Sequence, residues 1–190
     1  MVKITLTILS SLFIVHQTKA LSTAYFPTAC NGTAATVTTG ISLQSSTALL
    51  YSNSVYCYYV VNVPTDYQVL AVFRRFELED KVNGACVDYV NFYDGSSTSA
   101  SLLNTDPYCG ATNPSNITSS STSLTVEFVT DSTGTNKGFD LLFTAFTYAP
   151  CSGSQYACSN GRCIAKELEC DAFNQCEDNS DESHCTEEDY

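Results

Sequence analysis

Cys86-Val87-Asp88-Tyr89-Val90-Asn91-Phe92-Tyr93-Asp94-Gly95 is the stretch on which the fold turns. Val87, Tyr89, Asn91 and Tyr93 alternate with Asp88, Val90 and Phe92, the two-residue period of a half-buried strand, and the run stops at Asp94-Gly95, a turn signal. Downstream the same period recurs twice. Leu124, Val126 and Phe128 alternate with Thr125 and Glu127, and Phe139, Leu141, Phe143 and Ala145 alternate with Asp140, Leu142 and Thr144. Upstream, Tyr56 to Val63 and Val69 to Leu78 are β-branched and aromatic runs parted by the Pro64-Thr65-Asp66 turn. Tyr51, Tyr56, Tyr58 and Tyr59 form an aromatic cluster expected to serve core and cross-strand packing. Repeated short strands joined by Ser, Thr, Gly and Asn, with no helical stripe, predict a mostly β chain built as a sandwich.

The cysteines divide the chain. Cys30, Cys57, Cys86 and Cys109 are widely spread, whereas Cys151, Cys158, Cys163, Cys170, Cys176 and Cys185 crowd into the last quarter. An even number in each set reads as disulfides in an oxidising compartment, with a zinc site the weaker alternative. Spacing alone leaves the pairings open. Charge shifts at the same boundary: from Cys151 onward ten acidic residues face only Arg162 and Lys166.

Targeting signals agree with that compartment. Met1 to Lys3 is a positive start, Ile4 to Val15 an apolar run, and Thr18 and Ala20 suit a signal-peptidase site, so residues 1–20 are expected to be a signal peptide, with Ala24 as a second cleavage point. The apolar run is too short and too often interrupted to span a bilayer. The acidic tail 186–190 has neither an apolar anchor nor a prenylation Cys, so a secreted chain without membrane insertion is expected. A formal charge of −12 disfavours nucleic acid as a partner. Asn31-Gly-Thr and Asn116-Ile-Thr are candidate glycosylation sites, whereas the proline in Asn113-Pro-Ser excludes that one.

Cys57-Tyr58-Tyr59-Val60-Val61, Phe73 to Glu79, Cys86 to Val90, Asp94-Gly95, Cys109-Gly110 and Thr130-Asp131 through Gly138-Phe139 together resemble the ordered landmarks of a CUB domain, assigned to residues 30–148. The resemblance implies a jelly-roll sandwich with bridges Cys30–Cys57 and Cys86–Cys109. Tyr59 stands where many members have Trp. It also implies a calcium ion held by Glu79, Asp88 and Asp131, carboxylates that must converge from three strand ends. The competing reading is three solvated surface acids, and the long segment from Glu79 to Cys86 is one way to displace Glu79.

Residues 151–185, with 6, 4, 6, 5 and 8 residues between successive cysteines and a Ser180-Asp181-Glu182 tail, resemble a low-density lipoprotein receptor class A repeat. That resemblance implies bridges Cys151–Cys163, Cys158–Cys176 and Cys170–Cys185, a small apolar contact between Tyr156 and Ile164, and a second calcium. Its ligands carry over as the side chains of Asp171, Gln175, Asp181 and Glu182 and the carbonyls of Leu168 and Phe173. So short a segment with few apolar residues is expected to depend on its disulfides and metal. Gln175 replaces a usual Asp, which predicts weaker binding. Leu168 replaces an aromatic that in relatives covers the stem of a partner's lysine, and it is expected to do so without a π face. An EF-hand is a poor match, since the acidic run from Asp178 lacks the required Gly.

Catalysis has little to work with. Outside the first twenty residues the only histidine is His184, wedged beside Cys185, and there is no Gly-rich phosphate loop or His-rich metal motif. The expected function is secreted, calcium-dependent binding of an extracellular protein or receptor ectodomain through its basic groups. The alternative is a non-catalytic arm of a mosaic protease. Lipoprotein binding is the weaker option, because one repeat offers little multivalency.

Overall fold

In the computed structural model, residues 21–186 are described; the expected signal peptide 1–20 and the tail residues 187–190 lie outside them. Twelve strands and one 3-10 turn, Lys166–Leu168, make up the regular structure among these residues. The strands form two sheets. The first runs β1(Ser22–Tyr25)-β3(Gly40–Gln44)-β10(Gly138–Tyr148)-β12(Arg162–Ala165)-β11(Gln155–Ala157), with β5(Gln68–Glu77) on the other edge of β10 and β8(Ile117–Thr118) beyond it. The second runs β2(Gly32–Thr36)-β4(Tyr56–Asn62)-β9(Ser123–Val129)-β6(Tyr89–Asp94)-β7(Ser101–Leu102).

Alternation sends one side of each sheet into a shared core. Val90 and Phe92 of β6 are fully buried while Tyr89 and Tyr93 are half-exposed, as the period of the opening stretch requires. Phe128 anchors the centre: Phe139 lies edge-on to it at 5.0 Å and Tyr51 at 5.5 Å, and Phe26 stacks on it at 6.0 Å. Tyr59, in place of the usual Trp, is buried in the same cluster. Phe26 belongs to a segment preceding Cys30, and β1 pairs in parallel with β3, so residues from Ser22 onward also join the first sheet.

All ten cysteines are paired: Cys30–Cys57, Cys86–Cys109, Cys151–Cys163, Cys158–Cys176 and Cys170–Cys185. These are the pairings that the two resemblances imply.

The C-terminal segment is not the self-contained unit that its disulfide spacing suggests. Strand β10 is eleven residues long, and beyond its pairing with β3 it carries β12, with Phe146 opposite Ile164, Thr147 opposite Cys163 and Tyr148 opposite Arg162. The β11–β12 hairpin therefore extends the first sheet. On the outer face of that sheet Leu70, Val72, Leu142 and Phe146 are buried with Cys158, Ile164, Leu168 and Cys176 in a second apolar cluster, against which Tyr156 and Phe173 pack. Two cations close the seam. The Arg162 guanidinium lies 4.4 Å from the Phe146 ring centroid and pairs with Glu177 at 2.5 Å; Arg74 lies 5.2 Å from the Phe173 ring centroid while pairing with Asp140 at 2.5 Å and bonding Ser42. A core too small on its own is completed with side chains of the sandwich.

Candidate metal centres

The first centre forms at one end of the sandwich. Glu79 follows β5, Asp88 precedes β6 and Asp131 follows β9. The pairing of Tyr89 with Val129 brings the last two acids side by side. One carboxylate oxygen from each of Glu79, Asp88 and Asp131 lies within 4.8 Å of the others. The long segment after Glu79 does not displace it. Leu78 and Glu79 are clamped by backbone bonds to Gly110, 2.9 Å each way, and the extra residues close on themselves in a small hairpin bridged between Val82 and Ala85.

Tyr51 ties the cluster to the core. Its hydroxyl donates to Asp88 Oδ2 at 2.6 Å and accepts from the Glu79 backbone N–H at 3.0 Å. Asp88, fully buried, accepts the Asp131 backbone N–H on Oδ1 at 2.8 Å. Burial, then the hydrogen bond to Asp88, holds the Tyr51 phenol well above its ordinary range. Burial, then the charges of Asp88 and Asp131, raises the Glu79 carboxyl. Gly134 completes the cradle: it sits at φ +68°, and a Cβ there would lie 2.4 Å from Glu79 Oε1. Neither Tyr51 nor Gly134 was singled out from the sequence as part of this centre. Tyr51 was hidden in a tyrosine-rich stretch, and Gly134 in a turn-like run after Asp131.

The second centre lies in the loop between Cys170 and Cys185. Asp181, 1% exposed, accepts the backbone N–H groups of Gln175 at 2.7 Å and Cys176 at 3.1 Å on Oδ2. Gln175 Nε2 donates to Asp171 Oδ2 at 2.7 Å, and Glu182 accepts the N–H groups of Asp171 at 2.9 Å and Ala172 at 3.1 Å. Burial, with the Glu182 and Asp181 charges adding, pushes the Asp171 carboxyl up to about 6 despite its hydrogen bonds from Phe173 and Gln175. Among the described residues, only the acids of the first centre converge within 4.8 Å; in the second, Asp171, Asp181 and Glu182 share one hydrogen-bonded loop.

Five buried side-chain polar atoms among the described residues have no hydrogen-bond partner, and three belong to these two centres: Glu79 Oε2, Gln175 Oε1 and Asp181 Oδ1. Such oxygens are rare in folded proteins and need a reason. Carboxylate and amide oxygens without donors are the ligands a hard cation such as calcium takes, and no nitrogen or sulfur ligand is among them. The donor sets fit calcium, which would neutralise the clustered charge.

Leu168 departs from expectation. Its side chain is 1% exposed, packed with Leu70, Val72 and Ile164, so it cannot cover the stem of a partner's lysine. The sandwich occupies that shelf. Of the two sequon asparagines, Asn31 is exposed and follows Cys30 at φ 56°, while Asn116 is half-buried just before β8.

Comparison with known proteins follows this geometry. The CUB domain family matches residues 30–143. This chain belongs to the CUB family. Behind the CUB domain, residues 149–185 match the low-density lipoprotein receptor domain class A. The human protein "Membrane frizzled-related protein" is 34% identical over 136 residues, covering 70% of this chain and 23% of that protein. The chicken "Astacin-like metalloendopeptidase" is 37% identical over 95 residues, covering 50% and 22%. The CUB1-EGF-CUB2 domain of human MASP-1/3 shares the fold with a TM-score of 0.50 at 24% identity, covering 67% of this chain and 41% of that one. The chain thus spans less than a quarter of these two curated relatives. The CUB domain and the class A repeat are non-catalytic and point to an extracellular binding or adaptor role. No helix among the described residues is long and apolar enough to cross a membrane.

Proposed function

We propose that this chain is a secreted, calcium-dependent binding protein, with a signal peptide at 1–20 and glycans at Asn31 and Asn116, whose CUB domain engages basic groups of extracellular protein partners. The observation that carries this reading is the orphaned oxygen at each centre, Glu79 Oε2 in the CUB domain and Gln175 Oε1 and Asp181 Oδ1 in the class A repeat. Glu79, Asp88 and Asp131 hold one ion; Asp171, Gln175, Asp181 and Glu182 hold the other with the carbonyls of Leu168 and Phe173. With Leu168 buried, partner recognition falls to the CUB centre, whose acids stand on strand ends rather than under a neighbouring module.

Calcium titration calorimetry of the full chain tests this. Two binding events are expected, with Asp131→Ala abolishing one and Asp181→Ala the other. Absence of heat at millimolar calcium refutes the reading. A second reading, an accessory arm of an extracellular protease, is favoured by the similarity to the astacin-like metalloendopeptidase, of which this chain covers 22%. A transcript continuing into a protease domain would establish it.

A further inference from the structure

Register on the second sheet lays out three rows across β4, β9 and β6 on the face away from the core: Tyr56–Val129–Tyr89, Tyr58–Glu127–Asn91 and Val60–Thr125–Tyr93. The tyrosine stretch of the sequence splits here, since Tyr51 and Tyr59 point into the core while Tyr56 and Tyr58 join this outer grid. At its centre is Glu127, 6% exposed. Glu127 Oε2 accepts from Tyr93 Oη at 2.7 Å and from Asn91 Nδ2 at 3.2 Å, and Asn91 is fixed in turn by Asn104 at 3.0 Å.

These donors orient the carboxylate but bring no charge. Among the described residues the ion pairs join Arg74 to Asp140, Lys137 to Glu77 and Arg162 to Glu177, and none reaches Glu127. Carboxylates this deep are ordinarily paired with a cation. The surrounding phenols register the uncompensated charge. Glu127 raises Tyr56, first by its charge and then through a side-chain hydrogen bond, and burial followed by the hydrogen bond to Glu127 pushes Tyr93 up to about 12. One carboxylate among neutral phenols is a poor calcium site, which needs six to eight oxygens. Tyrosine faces beside a carboxylate suit an organic cation, held by charge and by the ring quadrupoles. Tyr56, 62% exposed and diagonal to Glu127, is the wall such a group meets first.

We propose that this tyrosine-bordered carboxylate is a metal-independent receptor for the cationic head of a lysine or arginine side chain on a protein partner. It goes beyond the calcium-dependent reading and does not rest on it, because no proposed metal ligand lies in the grid.

The test uses the full chain with 13C-labelled tyrosine rings, titrated in EDTA with N-acetyl-arginine amide, N-acetyl-lysine amide and neutral N-acetyl-glutamine amide. Saturable shifts of the Tyr56, Tyr58 and Tyr89 ring signals are expected with the cationic probes and not with the neutral one. Glu127→Gln, which keeps an acceptor for Tyr93 and Asn91, weakens binding about tenfold, and the exposed Tyr56→Ala about threefold. The proposal is overturned by no saturable shift, by equal shifts with the glutamine probe, or by wild-type affinity in Glu127→Gln. Should Glu127→Gln fail to fold, wild-type affinity in Tyr56→Ala overturns it instead. Shifts seen only with calcium assign binding to the metal centres, overturning this proposal while leaving the calcium-dependent one intact.

Discussion

Replacing Phe146 with alanine tests whether the class A repeat is fastened to the CUB sheet. Phe146 is fully buried on the outer face of β10, sits opposite Ile164 across the β10–β12 pairing, and lies under the Arg162 guanidinium at 4.4 Å. Removing a buried phenylalanine costs about 3–5 kcal/mol, and the cation–π contact adds about 0.5–1 kcal/mol. Because the residue faces the repeat rather than the core centred on Phe128, most of that loss falls on docking and little on the sandwich. A loss of about 4 kcal/mol raises the opening constant of the seam roughly a thousandfold, since about 1.4 kcal/mol is tenfold. Hydrogen exchange read by mass spectrometry reports this directly. Amides of 155–165 should lose about three decades of protection in Phe146→Ala, while those of β9 and β6 stay within a few-fold of wild type. Unchanged protection in β12 would refute the reasoning, because it would mean that the repeat is held by its own disulfides and loop bonds alone.

Three further outcomes are expected. Gly134→Ala places a methyl 2.4 Å from Glu79 Oε1 at a left-handed φ, so calcium affinity at the CUB centre should drop at least about tenfold by calorimetry; retained affinity would show that Glu79 is not a ligand. Gln175→Asp restores a negative charge to the class A centre and should tighten calcium there by about tenfold, whereas unchanged or weaker binding would show that the Gln175–Asp171 hydrogen bond matters more than charge. Asp171, raised to about 6, gives a pH signature in calcium-free buffer: its proton is bound more tightly folded than unfolded, so its stabilising contribution is complete below about pH 4 and lost as pH rises through about 6. Thermal melts in EDTA should show Asp171→Asn removing that slope, and an identical slope in the variant would contradict the assignment.

The fold was legible where apolar residues recur at every second position. The alternation through Tyr89–Asp94 and Ser123–Val129 states which side chains enter the core, and Val90, Phe92, Leu124, Val126 and Phe128 do so; the burial of Asn91, Thr125 and Glu127 on the opposite face is not in that period. The convergence of Glu79, Asp88 and Asp131 was legible only through resemblance, since no local pattern says that three strand ends 52 residues apart in sequence meet. The docked repeat was missed, although a signal existed. Val69-Leu70-Ala71-Val72-Phe73 and Leu141-Leu142-Phe143 are apolar at every position, the mark of strands covered on both faces, and the second cover is the class A repeat. The outer tyrosine grid was invisible for a different reason. Which tyrosines share a face with Glu127 depends on the cross-strand register of β4, β9 and β6, a long-range quantity that a linear reading does not contain.

Because Phe146, Thr147 and Tyr148 carry β12 as the next strand of their own sheet, the junction at Pro150 is a seam without a hinge. Families assembled from interchangeable cassettes usually tolerate swapping one repeat for another at such a boundary. Here a substituted cassette would have to supply the equivalents of Ile164, Leu168 and Arg162 in the same frame, or it would strip Leu70, Val72 and Leu142 bare to water. A graft across that seam without those equivalents is expected to yield an aggregating chain rather than a chimera with new specificity.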